Sequence, residues 1–176
     1  MLCSDPCRAQ ELVSKVEGFT VYDATDKYRV VTCTVSKVYD GDNLGCRAKI
    51  GRKTQYWNFR LVGIDAPEVR GHQPHYAESR EALRQAVLGE EITVELRGYD
   101  NVWKRHTVFV SVRGQDVALK QITEGFAWFY PMYARTLTDK QRQAYEDAET
   151  NAKSNRIGLW KDEKPINPSD WRKGKR

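Results

Sequence analysis

A chain of 176 residues is long enough for one domain with a real core and room for short extensions. Its 40% hydrophobic content, with five Trp, nine Tyr and five Phe to pack, excludes a wholly disordered chain, and no apolar run approaches the ~18 residues of a membrane helix. The 29 Lys and Arg exceed the 24 Asp and Glu for a formal charge of +5, a modest tilt toward polyanionic partners.

Residues 1–26 show no clear period and read as an N-terminal extension, with Phe19, Val21 and Tyr22 as its few apolar anchors. The opening MLCSDPCRAQELV lacks the apolar stretch of a signal peptide. The compartment is therefore open: secreted or periplasmic if a leader has been removed, cytoplasmic otherwise. From Tyr28, YRVVTCTVSKV is rich in β-branched residues and predicts a first strand. Asp40-Gly41-Asp42-Asn43 ends it as a tight turn, since Gly and Asn tolerate positive φ. Strands follow over residues 44–50 and 54–64. Pro74 introduces a helix over residues 75–88, with an apolar stripe at Ala77, Ala82, Leu83, Ala86 and Val87 and Gly89 as its C-terminal cap. EITVELR and HTVFVSV are the fourth and fifth strands. A short helix over residues 116–124 stops at Gly125, an aromatic extended segment covers residues 126–133, and a long helix capped by Thr138 runs to about Asn155. The basic, Pro-containing residues 161–176 read as a solvated tail, the alternative being that the Lys and Arg of Arg172-Lys173-Gly174-Lys175-Arg176 add non-specific affinity for nucleic acid.

Three strands, a helix, two strands and two helices is the order of an oligonucleotide-binding (OB) barrel. The fold class is therefore α+β: a five-stranded OB-type β-barrel with about three α-helices, over residues 27–160. The four cysteines, Cys3, Cys7, Cys33 and Cys46, permit two disulfides in three connectivities, or free thiols with Cys33 and Cys46 packed in the barrel. Their spacing does not match a zinc ribbon.

Two acidic turns carry the chemistry. Val38-Tyr39-Asp40-Gly41-Asp42 and Arg60-Leu61-Val62-Gly63-Ile64-Asp65-Ala66-Pro67-Glu68 each place carboxylates after an apolar strand. If the strands are neighbours, the carboxylates meet at one barrel mouth, where they repel unless a cation neutralises them. An all-oxygen donor set suits calcium or magnesium. Alone, the Asp-Gly turn is an ordinary hairpin signal. Arg60 adds a planar fork able to clamp a phosphate in the same region, and Arg105 opens the fifth strand. His72 and His75 have a His-x-x-His spacing, but Pro74 between them disfavours a helical metal pair. Trp128 and Phe129 read as core, whereas the hydroxyls of Tyr130 and Tyr133 favour a wet edge.

Asp40-Gly41-Asp42 followed by RLVGIDAPE resembles the paired signature of the staphylococcal (micrococcal) nuclease family. Trp103-Lys104-Arg105, residues 125–130 and Gly158-Leu159-Trp160 extend the resemblance over residues 28–160. It implies a calcium-dependent phosphodiesterase that cuts DNA and RNA, single-stranded or locally open, with little sequence preference and leaves 3′-phosphate ends. It further implies Ca2+ held by Asp42, Asp65 and the Ala66 backbone carbonyl, with Asp40 acting through water. Glu68 would activate or position the attacking water, Arg60 and Arg105 would bind phosphate, and Tyr130 and Tyr133 would line the nucleotide pocket. Asn43 stands where the family has threonine, and Trp103-Lys104 where it often has Tyr-Gly. A monomer is expected. The competing reading is a non-catalytic OB-fold nucleic-acid-binding module, although three carboxylates repel phosphate unless a metal accompanies them. A structural calcium module leaves Arg60 unexplained.

Overall fold

The computed structural model describes residues 21–25, 28–50, 52–100 and 102–175. Cys3, Cys7 and Phe19 lie outside the described residues. Strand β1 (Val21–Thr25) pairs with β2 (Tyr28–Val38), whose sequence alternates as the first predicted strand. Strands β3 (Asn43–Ile50) and β4 (Lys53–Leu61) follow, then the two-residue β5 (Ile64–Asp65). Helix α1 (Tyr76–Val87) leads to β6 (Glu91–Asp100) and β7 (Arg105–Val112). The short β8 (Gln115–Asp116) hairpins back onto β7 and runs into α2 (Val117–Thr123). After β9 (Trp128–Phe129) come α3 (Asp139–Ser154) and α4 (Pro168–Arg172).

The barrel order is β2-β3-β4-β7-β6, closed by β6 on β2. Every pairing around it is antiparallel except β4 with β7, which is parallel. Period-2 alternation makes this closure favourable: Val31, Val35, Leu44, Phe59, Leu61, Ile92, Val94, Val108 and Val110 all turn inward and are buried. Leu83 and Val87 of α1, Ile122 of α2 and Tyr145 of α3 pack into the same core.

Helix α3 starts with a capping box, Thr138 accepting from the Gln141 amide while the Gln141 side chain bonds back to Thr138. Tyr145 is fully buried and donates its hydroxyl to Asp116, 2.9 Å from Oδ2, tying α3 to the cap of α2. No helix among the described residues is long and apolar enough to cross a membrane.

Three expectations are corrected. The third predicted strand does not run through to residue 64; it breaks at Val62-Gly63, where Gly63 takes a φ of 77°, and resumes as β5. Among the described residues there are four α-helices rather than about three, because the segment read as a solvated tail contains α4. Gly41 does not owe its place to positive φ. A Cβ there would lie 1.9 Å from Ser79 Oγ and 2.7 Å from the Ala66 side chain, so the acidic turn is pressed directly onto α1 and the loop after β5.

Cys33 on β2 and Cys46 on β3 form a disulfide across neighbouring strands, with Cα atoms 6.0 Å apart and both residues buried. Of the readings left open by the sequence, the paired one therefore holds for these two. Its loop is short, with a sequence separation of 13, so the crosslink stabilises by about 2–3 kcal/mol. Reduction, or the double substitution Cys33→Ala/Cys46→Ala, is expected to lower Tm by roughly 5–10 °C. Differential scanning fluorimetry with and without reductant checks this, alongside thiol counting in denaturant.

Candidate active site

The barrel pairings assemble the site. Antiparallel β3 and β4 place Asn43 opposite Arg60, and the parallel pairing of β4 with β7 sets Arg60 beside Thr107, two residues from Arg105. Strand β5 pairs with β9, seating Asp65 opposite Trp128. The acidic turn is held from below: Gln121 donates to the carbonyls of Gly41 (2.9 Å) and Ser79 (3.1 Å), and the Leu61 amide donates to the Asp42 carbonyl at 2.9 Å. Asp42 and Asp65 are 2% and 0% exposed.

Arg60 lies between these two buried carboxylates, its Nη2 3.0 Å from Asp42 Oδ2 and 2.9 Å from Asp65 Oδ1. The Ala66 amide donates to Asp42 Oδ2 at 3.0 Å. Burial pushes the Asp42 carboxyl well above the usual carboxylate range; the Arg60 charge opposes this, while Asp40 and Asp65 add to it. Burial pulls the Arg60 guanidinium down, but Asp42 and Asp65 outweigh it and the net effect is upward. Asp40 turns back on its own loop, accepting from the Asp42 amide (3.0 Å) and from Asn43 Nδ2 (2.9 Å).

Asn43 is a residue that sequence reasoning noted only as a departure. Its amide nitrogen donates to both Asp40 and Asp42, and its Oδ1 accepts from Arg105 Nη1 at 2.6 Å. One neutral side chain thus connects the carboxylates to the second arginine. Burial and the Arg60 charge hold the Arg105 guanidinium below its ordinary value, against the pull of Asp42, Asp100 and Asp40. The Nε atoms of Arg60 and Arg105 are buried and find no hydrogen-bond partner among the described residues. Both arginine side chains line the cavity at the barrel mouth.

Tyr133 is positioned by backbone bonds from its turn to Gly63, with Gly63 N donating to Tyr133 O (3.1 Å) and Tyr130 N to Gly63 O (2.8 Å). Its ring lies 4.9 Å from the Arg60 guanidinium, and the Tyr130 ring packs on it at 4.7 Å. Tyr133 lines the site cavity of about 740 Å³ together with Asp40, Asp42, Arg60, Glu68 and Arg105; Tyr130 does not. Trp128 and Phe129 are buried, as core residues. The two histidines do not form a metal pair: His75 bonds Asp162 at 2.9 Å, and the His72 ring packs on Tyr76.

The C-terminal segment brings Arg172 into the acidic site, where the sequence suggested at most non-specific affinity for nucleic acid. Arg172 approaches Asp65 with both terminal nitrogens, 3.1 Å to Oδ1 and 2.7 Å to Oδ2, and also reaches Glu68 Oε1. The expectation of a solvated tail is thereby corrected: burial of Asp65 calls for cationic partners, and Arg172 supplies one.

Residues 58–162 match the family model described as staphylococcal nuclease homologue. The chain belongs to the staphylococcal nuclease family. It is 33% identical over 162 residues to a Haemophilus influenzae protein named an uncharacterized endonuclease, spanning 92% of this chain and 84% of that one. It is also similar to a probable staphylococcal-like nuclease of Oryza sativa subsp. japonica, at 33% over 68% of the chain, and to a probable endonuclease of Komagataella phaffii, at 29% over 69%. The aligned parts are 34% of the rice protein and 56% of the yeast one. The matched stretch in this family member holds Arg60, Asp65, Ala66, Glu68 and Arg105; Asp40, Asp42 and Arg172 fall outside it.

The buried carboxylates make the fold depend on Arg60. Arg60→Ala leaves Asp42 and Asp65 facing each other without their shared cation, which costs about 3 kcal/mol at pH 8. With Arg60 gone the Asp42 carboxyl rises further, so the ionised form opposes folding. The deficit therefore grows as pH rises through the carboxyl range and shrinks toward pH 4–5, by about 1 kcal/mol or more. Urea unfolding of wild type and variant at the two pH values measures it.

Proposed function

We propose that this chain is a calcium-dependent, largely sequence-nonspecific phosphodiesterase acting on DNA and RNA. The observation that carries the reading is the convergence at one barrel mouth of two buried carboxylates, Asp42 and Asp65, with two arginines, Arg60 and Arg105, that line the cavity there. The similar proteins of Haemophilus, rice and yeast are named as endonucleases or a nuclease.

The donor set fits a hard cation. Among the described residues no three His, Cys, Asp or Glu side chains form a metal cluster. Calcium nevertheless accepts backbone carbonyls and water, so Asp42, Asp65 and the Ala66 carbonyl meet its chemistry without a third acidic ligand. The Asp42 carboxyl, disfavoured as an anion by its burial, is a group that such an ion would stabilise. When bound, calcium would neutralise phosphate charge and favour a five-coordinate phosphorus.

The protein's own groups do the rest. Arg60 and Arg105, which line the cavity, take phosphate oxygens through their guanidinium groups and hold the diester against the mouth. Glu68 lines the same cavity and accepts the proton of the attacking water. Arg105 also stabilises the departing 5′-oxygen, which leaves a 3′-phosphate end, an outcome carried over from the family resemblance. Asp40, through Asn43, keeps the acidic turn and Arg105 in register. Tyr133 offers its ring to the nucleotide, with Tyr130 packed against it. Contacts to phosphate rather than base edges give salt-dependent binding with weak sequence preference.

Supercoiled plasmid is expected to be cut in calcium and left intact in excess chelator; full activity in chelator overturns the metal assignment. Arg105→Ala and Glu68→Gln are each expected to lower turnover roughly 10²-fold or more.

Asp42→Ala is expected to lose cleavage yet keep salt-sensitive binding to a labelled single strand without calcium, since phosphate neutralisation comes from Lys and Arg. Anisotropy beside a gel assay reads both. A wild type that binds but cuts under no divalent ion makes the chain a binding module instead.

A further inference from the structure

The loop that carries Glu68 also carries the anchors of the C-terminal segment. Gln73 is 1% exposed, and its side-chain amide faces both ways: Oε1 accepts from the Glu68 amide at 2.9 Å, and Nε2 donates to the Ile166 carbonyl at 2.6 Å. Asp162 bonds His75 at 2.9 Å, and the Trp171 indole donates to the Arg70 carbonyl at 3.0 Å. The Trp171 ring also covers Gly71, where an added Cβ would meet it at 3.4 Å. The segment is thus fastened along the loop, and its last helical residue delivers Arg172 to the acidic groups.

There the guanidinium takes what the proposed chemistry needs. Asp65 is fully buried and is not among the residues that line the cavity. Its Oδ1 is shared by Arg60 and Arg172, and its Oδ2 is taken by Arg172 at 2.7 Å. Glu68 Oε1, the proton acceptor of the reaction, is bonded to the same guanidinium.

We propose that Arg172 is a built-in competitor of the divalent cation, occupying Asp65 and Glu68 until the ion displaces it and the segment around it loosens. This rests on the calcium reading of Asp42 and Asp65. The physical basis is that Arg60 contacts Asp65 through Oδ1, whereas Arg172 takes Oδ2, and a guanidinium and a divalent ion, being like charges, cannot use the lone pairs of that one oxygen together at close range. The docked segment lowers the apparent affinity for the ion by the fraction of time it is docked. Linkage makes the effect reciprocal: the ion must loosen the segment by the factor by which the segment weakens the ion. Release is feasible because Arg172 is 38% exposed at its side chain and α4 is only five residues long.

Calcium binding to metal-stripped full-length protein, measured by isothermal titration calorimetry, tests this. Arg172→Ala is expected to bind calcium about tenfold more tightly than wild type, and Arg172→Lys to fall between them, keeping charge but losing the fork. Lys175→Ala removes a charge from the same segment, where Lys175 pairs with Asp170 at 3.1 Å, and is expected to match wild type. Hydrogen exchange supplies a second readout: calcium is expected to speed exchange of the hydrogen-bonded amides of Trp171, Lys173 and Gly174 in wild type. In Arg172→Ala these amides exchange fast with or without calcium.

Equal calcium affinity in wild type and Arg172→Ala overturns the proposal and leaves the calcium reading standing. So does equal tightening by Lys175→Ala, or a calcium-induced slowing of exchange in the segment. If no variant binds calcium, the calcium reading itself falls and takes the proposal with it.

Discussion

Arg60 is held between Asp42 and Asp65, and much of the molecule is arranged around that contact. Two carboxylates withdrawn from water at one barrel mouth are tolerable only with a cation against them. The guanidinium supplies it at 3.0 and 2.9 Å, from the end of β4. The arrangement is costly as a means of stability, since hydrophobic replacements of a buried ion group are often at least as stable. Its retention is better understood as the cost of a site: charges are kept close, oriented and shielded from solvent, ready to act on a charged ligand.

The fold delivers those charges by register. The parallel pairing of β4 and β7 brings Arg60 and Arg105 to the same end of the barrel, and the β3–β4 hairpin brings Asn43 opposite Arg60. Asn43 then links acids and arginine through one amide, a task that needs a donor and an acceptor on the same side chain. A threonine at that position offers a single hydroxyl and a shorter reach. The departure from the family pattern at residue 43 is thus accompanied by an altered bonding pattern between the acidic turn and Arg105. At the rim, Trp103 is exposed and its ring lies 5.8 Å from the Arg105 guanidinium, so this loop presents an aromatic face beside the second arginine.

The C-terminal segment supplies one wall of the open cavity at the barrel mouth. Trp171, Arg172 and Gly174 line it along with the barrel residues. Because Gln73 bonds both the Glu68 amide and the Ile166 carbonyl, the position of Glu68 and the docking of the segment share one buried side chain.

The sequence by itself determined the barrel and most of the acidic site. Alternating β-branched residues in 28–38, 91–97 and 106–112 set which side chains face the core, and that periodicity is local and needs no distant partner. The two acidic turns were legible for the same reason, as short runs whose residue types already state a chemistry. What tertiary structure alone decided were contacts across large separations. Cys33 met Cys46 because β2 and β3 are neighbours and their register sets Cys46 opposite Val35, two residues from Cys33, which the spacing of four cysteines does not specify. Gly41 was needed for close approach to α1 rather than for its own φ, a distinction visible only once Ser79 is packed on it. Arg172 reached Asp65 across 107 residues, and nothing in a basic, Pro-containing stretch announces a partner so distant. Its place follows from the burial of Asp65: a fully buried carboxylate draws in the cations that the closed fold brings within reach, and which cation arrives is fixed by the path of the whole chain.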